Sequence, residues 1–208
     1  MKKLLLTAFE PFNGQIINPS LEAAREMKTK HFAGAQIEVL ELPVHRFDAI
    51  ERTLEYLSHF QPDVIVMLGE AGGREGVTPE RTAFNLDDFP IPDNGGHQPR
   101  NEIIALGGPE SYFSTLPIQA IETQLKLAKI SASISESAGR YLCNRLFYSV
   151  MHAIASHDKS IRAGFVHVPY LEEQVAELAT ETPSFSRETM MQAVQLVIEV
   201  CLEKQYEA

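Results

Sequence analysis

A single three-layer α/β/α sandwich with a mostly parallel central sheet is the fold class this sequence predicts. Short apolar runs alternate along the chain with segments whose apolar residues recur at helical spacing. The strongest of those runs carry no polar alternation, the mark of strands buried on both faces. The 208 residues contain no repeat, low-complexity tract or Gly/Ser-rich linker, so residues 1–208 read as one domain.

Each element follows from local chemistry. Leu4 to Thr7 is a short buried strand, followed by a loop through Pro11, Asn13 and Gly14. Asn18-Pro19 opens a helix, because Asn caps and Pro at the first helical position loses no hydrogen bond. Leu21, Ala24 and Met27 then share one face. Ile37 to Leu42 is strand-like, Phe47 to Phe60 has helical spacing, and Val64 to Gly69 is the clearest buried strand. Between Arg74 and Gly108 the periodicity fails. That Pro-, Asn-, Asp- and Gly-rich stretch reads as ordered loop with a short strand near Thr82 to Leu86. Beyond it, helices are expected at Ile118–Lys129, Gly139–Ala155 and Arg187–Lys204. A weak strand is expected at Ala132–Ser135, and a firm one from Ala163 to Val168, closed by Pro169.

Charge excludes some partners. The formal net charge is -10, which disfavours nucleic acid and anionic membrane surfaces as partners. The opening Met1 to Leu6 breaks at Thr7 and Glu10, too early for a signal peptide. No apolar run approaches the roughly 20 residues that span a bilayer. Two cysteines, Cys143 and Cys201, do not make a disulfide scaffold. The expected setting is the cytoplasm, with both thiols reduced.

In sheets of this class, ligands bind beyond the carboxyl ends of the strands. The residues just past those ends include Phe9 to Asn18, Glu70 to Arg74, Ser137 to Cys143 and His167 to Tyr170. Cys143 lies near the start of a helix, where free N–H groups favour a thiolate and can bind an oxyanion, or else it is a small buried hydrophobe. Cys201, by contrast, sits on the apolar stripe of the last helix and reads as core. His167 interrupts an apolar strand at its end and can either relay a proton to and from a thiol or sit as a hydrogen-bonded core histidine. Glu80 can orient that imidazole, or else pair on the surface with Arg81. Phe9 and Phe12 can wall a small pocket or cap the core. None of the other six histidines shows metal-ligand spacing.

Taken together, these segments resemble the pyroglutamyl-peptidase I (pyrrolidone-carboxylate peptidase) family along nearly the whole chain. The resemblance rests on Ala8 to Phe12, Asn18-Pro19-Ser20, Leu68 to Arg74, Thr78 to Arg81 and Ile91 to Asn94. It continues through Tyr112 to Pro117, Ser137-Ala138-Gly139, Cys143-Asn144 and His167 to Leu171. It implies an α/β sandwich, peptide substrates with an N-terminal pyroglutamate, a frequent homotetramer, and no metal or organic cofactor. It implies Cys143 as nucleophile, His167 as base and Glu80 as orienting carboxylate. It implies a lactam pocket of Phe9, Phe12, Asn18, Glu70, Ile91 and Tyr141.

Three positions depart from the family pattern. Glu70 stands where Gln is usual, Pro90 where an Arg usually precedes Ile-Pro-Asp, and Asn13 where Gly is usual. An ionised Glu accepts hydrogen bonds but cannot donate. The absent Arg removes a cation from near the oxyanion. Three readings therefore stand at this point: a pyroglutamyl peptidase, a related amidase or aminopeptidase of altered specificity, and a non-catalytic binding protein on the same fold.

Overall fold

The computed structural model describes residues 1–156, 160–176, 178 and 181–203. The elements run β1 (Lys2–Phe9), α1 (Pro19–Thr29), β2 (Ala35–Leu42), α2 (Asp48–Phe60) and β3 (Val64–Glu70). Three short strands follow, β4 (Thr78–Pro79), β5 (Thr82–Phe84) and β6 (Ser111–Phe113), then helices α3 (Ile118–Leu127) and α4 (Leu142–Ser156). The chain closes with β7 (Arg162–Val168), β8 (Tyr170–Leu171), α5 (Glu172–Val175), β9 (Ser184–Phe185) and α6 (Arg187–Leu202). Lys204, the expected end of the last helix, lies outside the described residues.

The main sheet has the order β2-β1-β3-β7-β4. Its first four strands are parallel, and β4 joins the edge antiparallel. Period-two alternation divides each strand between two cores. Leu4, Leu6, Val64, Val66 and Leu68 pack with Met27 of α1, Leu125 of α3 and Val197 of α6. Leu5, Ile65, Met67 and Phe165 pack with Leu57 of α2 and Leu146 and Phe147 of α4. Three helices thus cover one face and two the other, which is the expected sandwich.

Asn18 caps α1 as its chemistry dictates, accepting the Ser20 N–H at 3.0 Å. The expected strand at Ala132–Ser135 is reduced to two isolated parallel bridges, Val77↔Ala132 and Glu80↔Ser135. Its would-be partner β4 is two residues long, and Pro79 has no N–H to extend a ladder. The long loop is fastened by polar groups, which is why apolar periodicity vanished there. Asn85 exchanges hydrogen bonds with Ala105, accepting its N–H at 2.8 Å and donating to its carbonyl at 2.9 Å. Fully buried Asp87 is held by Arg46 and Arg145.

Candidate active site

Strands β3 and β7 end side by side, and their register pairs Gly69 with His167. In a parallel pair, such partners project from the same sheet face. The open position above Gly69 holds the sulfur of Cys143: a Cβ on residue 69 would lie 3.1 Å from Sγ. It would also lie 2.8 and 2.9 Å from two carbons of the Phe165 ring, so only glycine admits this packing. Phe165 in turn packs on the His167 imidazole, with ring centres 4.7 Å apart. Neighbouring strands run about 4.8 Å apart, so Gly69, beneath the sulfur, and His167 are side by side on adjacent strands.

The carboxylate arrives from the sheet edge. Thr78 pairs with His167, and the Glu80 N–H donates to the Phe165 carbonyl at 2.9 Å. Glu80 is fully buried, and its Oε1 meets His167 Nδ1 at 2.6 Å. An ionised carboxylate only accepts, so Nδ1 carries the proton and Nε2 keeps its lone pair. Arg74 donates to the same Oε1 at 2.6 Å, while Oε2 is buried without a partner. The surface pairing of Glu80 with Arg81 does not form, because Arg81 pairs with Glu136 at 3.0 Å. Arg74 was not singled out from the sequence, although it ends the Leu68–Arg74 run.

Cys143 is the second residue of α4, so its turn of the helix presents unpaired N–H groups. Asn144 locks that turn, accepting the Phe84 N–H at 2.8 Å and donating to the Phe84 and Leu86 carbonyls at 2.9 and 3.0 Å. The expected acidified sulfur is not what burial leaves. Desolvation, with Glu80 and Glu70 adding to it, pushes the Cys143 thiol up to about 12 against the lowering by Arg74 and its own backbone N–H. Burial likewise holds His167 below the usual histidine range, although Glu80 pulls the other way. Both shifts favour the neutral forms, a thiol and an unprotonated imidazole. Cys201 is fully buried in the core, as its helical stripe implied.

Beside the sulfur lies a cavity of about 50 Å³, lined by Phe9, Phe12, Asn18, Val44, Glu70, Tyr141, Leu142 and Cys143. Five of the six expected pocket residues line it. Ile91 does not: it is 36% exposed, beyond the rim. Its neighbour Pro92 accepts the Tyr141 hydroxyl at 3.2 Å, which ties the Ile91 loop to the pocket wall. Val44 and Leu142 were missed because an isolated aliphatic residue carries no sequence signal for a pocket. Burial raises the Glu70 carboxyl, although Gln174 Nε2 donates to its Oε2 at 2.8 Å and opposes the shift. Pro90 is exposed, and its carbonyl accepts from Gln98 at 2.9 Å.

A mostly parallel α/β sandwich whose strand ends gather a helix-start thiol, an imidazole and a buried carboxylate defines a cysteine peptidase. The family model for pyroglutamyl peptidase matches residues 2–204. The pyrrolidone-carboxylate peptidase of Vibrio vulnificus strain YJ016 is 47% identical over 203 residues, covering 98% of this chain and 94% of that one. Its namesake from Bacillus cytotoxicus is 44% identical over 203 residues, with the same coverage. The crystal structure of Bacillus amyloliquefaciens pyroglutamyl peptidase I superposes with a TM-score of 0.92 at 39% identity, over 97% of both chains. The chain belongs to the pyroglutamyl peptidase family, and the non-catalytic reading falls away.

Proposed function

We propose that this chain removes an N-terminal pyroglutamyl residue from peptides, with Cys143 as nucleophile, His167 as base and Glu80 as the group that orients it. The observation that carries the proposal is the buried Glu80–His167 hydrogen bond, made beside Gly69, over which the Cys143 sulfur lies. The cavity suits the ring. At about 50 Å³ the cavity is far below a drug-sized pocket and admits only a small group. Phe9, Phe12 and Tyr141 line it with aromatic side chains, and Asn18 and Glu70 are its polar lining residues.

The steps start from the neutral thiol and imidazole. As substrate docks, Nε2 takes the Cys143 proton and the sulfur attacks the pyroglutamyl carbonyl, forming a tetrahedral oxyanion. The free N–H groups at the start of α4 stabilise that charge. The imidazolium then gives its proton to the departing amine, leaving a thioester on Cys143. Water, deprotonated by Nε2, hydrolyses the thioester and releases pyroglutamate and the free thiol. Glu80 stabilises the imidazolium throughout, and Arg74, paired with Glu80 Oε1 at 2.6 Å, holds it in place.

The test is hydrolysis of a pyroglutamyl anilide beside prolyl and glutaminyl anilides. The account expects turnover of the first only, lost in Cys143→Ser. Well-folded, reduced protein that turns over none of them, or prefers a free amine, removes the proposal. Burial moves Glu70 toward its neutral form, which works against its serving as the anchor for a cationic amine. We also infer cytoplasmic residence and a homo-oligomer, a tetramer by the resemblance. Exposed Ile103, Leu106 and Phe113, at 56, 98 and 67%, are candidates for the shared surface. No helix among the described residues is long and apolar enough to cross a membrane.

A further inference from the structure

Outside the thiol site, the fold gathers a second set of side chains that the sequence separates. His45, in the turn between β2 and α2, meets Asp93 and His97 from the long loop. Their ligand atoms all lie within 4.8 Å of one another. His97 Nδ1 is 3.2 Å from both Asp93 oxygens, and the two imidazoles cross edge to face at 4.8 Å. The space between them is kept open by a glycine. A Cβ on Gly95 would stand 2.6 Å from His45 Nε2 and 3.0 Å from His97 Nδ1.

We propose that His45 Nε2, His97 Nδ1 and the Asp93 carboxylate bind one divalent transition-metal ion such as Zn²⁺. Two imidazoles and one carboxylate are a ligand set suited to Zn²⁺ and its neighbours, with a fourth position left for water. Metal bonds of about 2.0–2.1 Å place tetrahedral ligands roughly 3.4 Å apart. The His97–Asp93 pair is already near that spacing, and closing the 4.8 Å limit takes about 1.4 Å of side-chain motion.

Outer contacts hold the set in place. With the proton on Nδ1, His45 donates to Asp48 Oδ1 at 3.0 Å and the Nε2 lone pair is left for the metal, as in the carboxylate–histidine–metal arrangement. The Asp48 N–H at 3.3 Å is the longer contact to the same nitrogen. Buried Asp93 is fixed by the N–H groups of Gly95, His97 and Arg46 at 2.9, 2.8 and 2.6 Å. Phe47 covers one side, edge-on to His97 at 5.3 Å. The ion would bridge the β2–α2 turn to the loop holding Ile91 and Pro92, and so brace the wall that carries Tyr141.

The thiol site also attracts soft metals, so the test uses Cys143→Ser protein freed of metal by a chelator that is then removed. Titration with Co²⁺ and Zn²⁺ reads stoichiometry by calorimetry and geometry by visible absorption. The expected result is one equivalent bound, with no sulfur-to-cobalt charge-transfer band and a raised melting temperature. Asp48→Asn is expected to weaken binding about 10- to 100-fold, and His45→Gln or His97→Asn by more. Ring resonances of His45 and His97, shifting together on Zn²⁺ addition, supply the same answer without any variant at this cluster. Absence of binding in Cys143→Ser, or binding that survives both histidine substitutions, overturns the proposal.

Discussion

At Cys143 two effects compete, and burial exceeds the pull of the helix start. The thiol is pushed up to about 12, while His167 is held below its usual range. Protonated His167 cannot accept the thiol proton, so kcat/KM falls as pH drops through the His167 value. The acid limb should therefore sit below about 6.5, with a level plateau above it. Alkylation of Cys143 by iodoacetamide should keep rising with pH well above 9, without the neutral-pH plateau of a preformed thiolate. Stopped-flow labelling decides between them. Glu80→Gln leaves the imidazole poorly oriented and its cation unsupported, and should lower kcat about 10³- to 10⁴-fold with little change in KM. A loss below tenfold would demote the carboxylate to a packing role. Glu70 makes a stability prediction whose sign follows from its raised value. Its ionised form is disfavoured in the fold, a cost present at pH above the folded value and absent below the ordinary 4.5. Glu70→Gln should thus raise the melting temperature at pH 8 and leave it unchanged at pH 4.

Among the elements, the junction of β3, β7 and α4 decides whether a site exists. Gly69→Ala drives a methyl into Phe165 and the sulfur at 2.8–3.1 Å. The expected cost is about 1–3 kcal/mol in a urea melt, with kcat falling more than KM rises. Most of this framework was legible in the sequence. The apolar run Val64–Gly69 and the interrupted run at His167 fixed both strands, and the helical stripe at Leu142, Leu146 and Phe147 placed α4. The Glu80–His167 bond was named only as one of two options, because β4 is two residues long and leaves almost no pattern. Arg74, Val44 and the His45–Asp93–His97 cluster were invisible for a related reason. They meet through irregular backbone, where spacing along the chain says nothing about distance. The strand expected at Ala132–Ser135 failed because alternation predicts a willing segment, not the presence of a partner.

For the whole molecule, two thiols report on two levels of order. Cys143 lines the small pocket, whereas Cys201 is fully buried on the inner face of α6. Labelling in native buffer should modify Cys143 alone, and Cys201 should react only with global unfolding. Equal labelling of both would mean that α6 opens locally. If Ile103, Leu106 and Phe113 form the shared surface, Leu106→Asp should shift sedimentation toward smaller species while leaving the thiol site intact. A wild-type chain that sediments as a monomer at micromolar concentration would remove the oligomer from the account. The central claim remains the chemistry at one sulfur. Its most direct measurement is intact mass spectrometry of enzyme acid-quenched during turnover of a pyroglutamyl peptide. A single pyroglutamyl adduct on Cys143, absent from Cys143→Ser, is the result predicted. Continued turnover by Cys143→Ser, or an adduct on another residue, would contradict it.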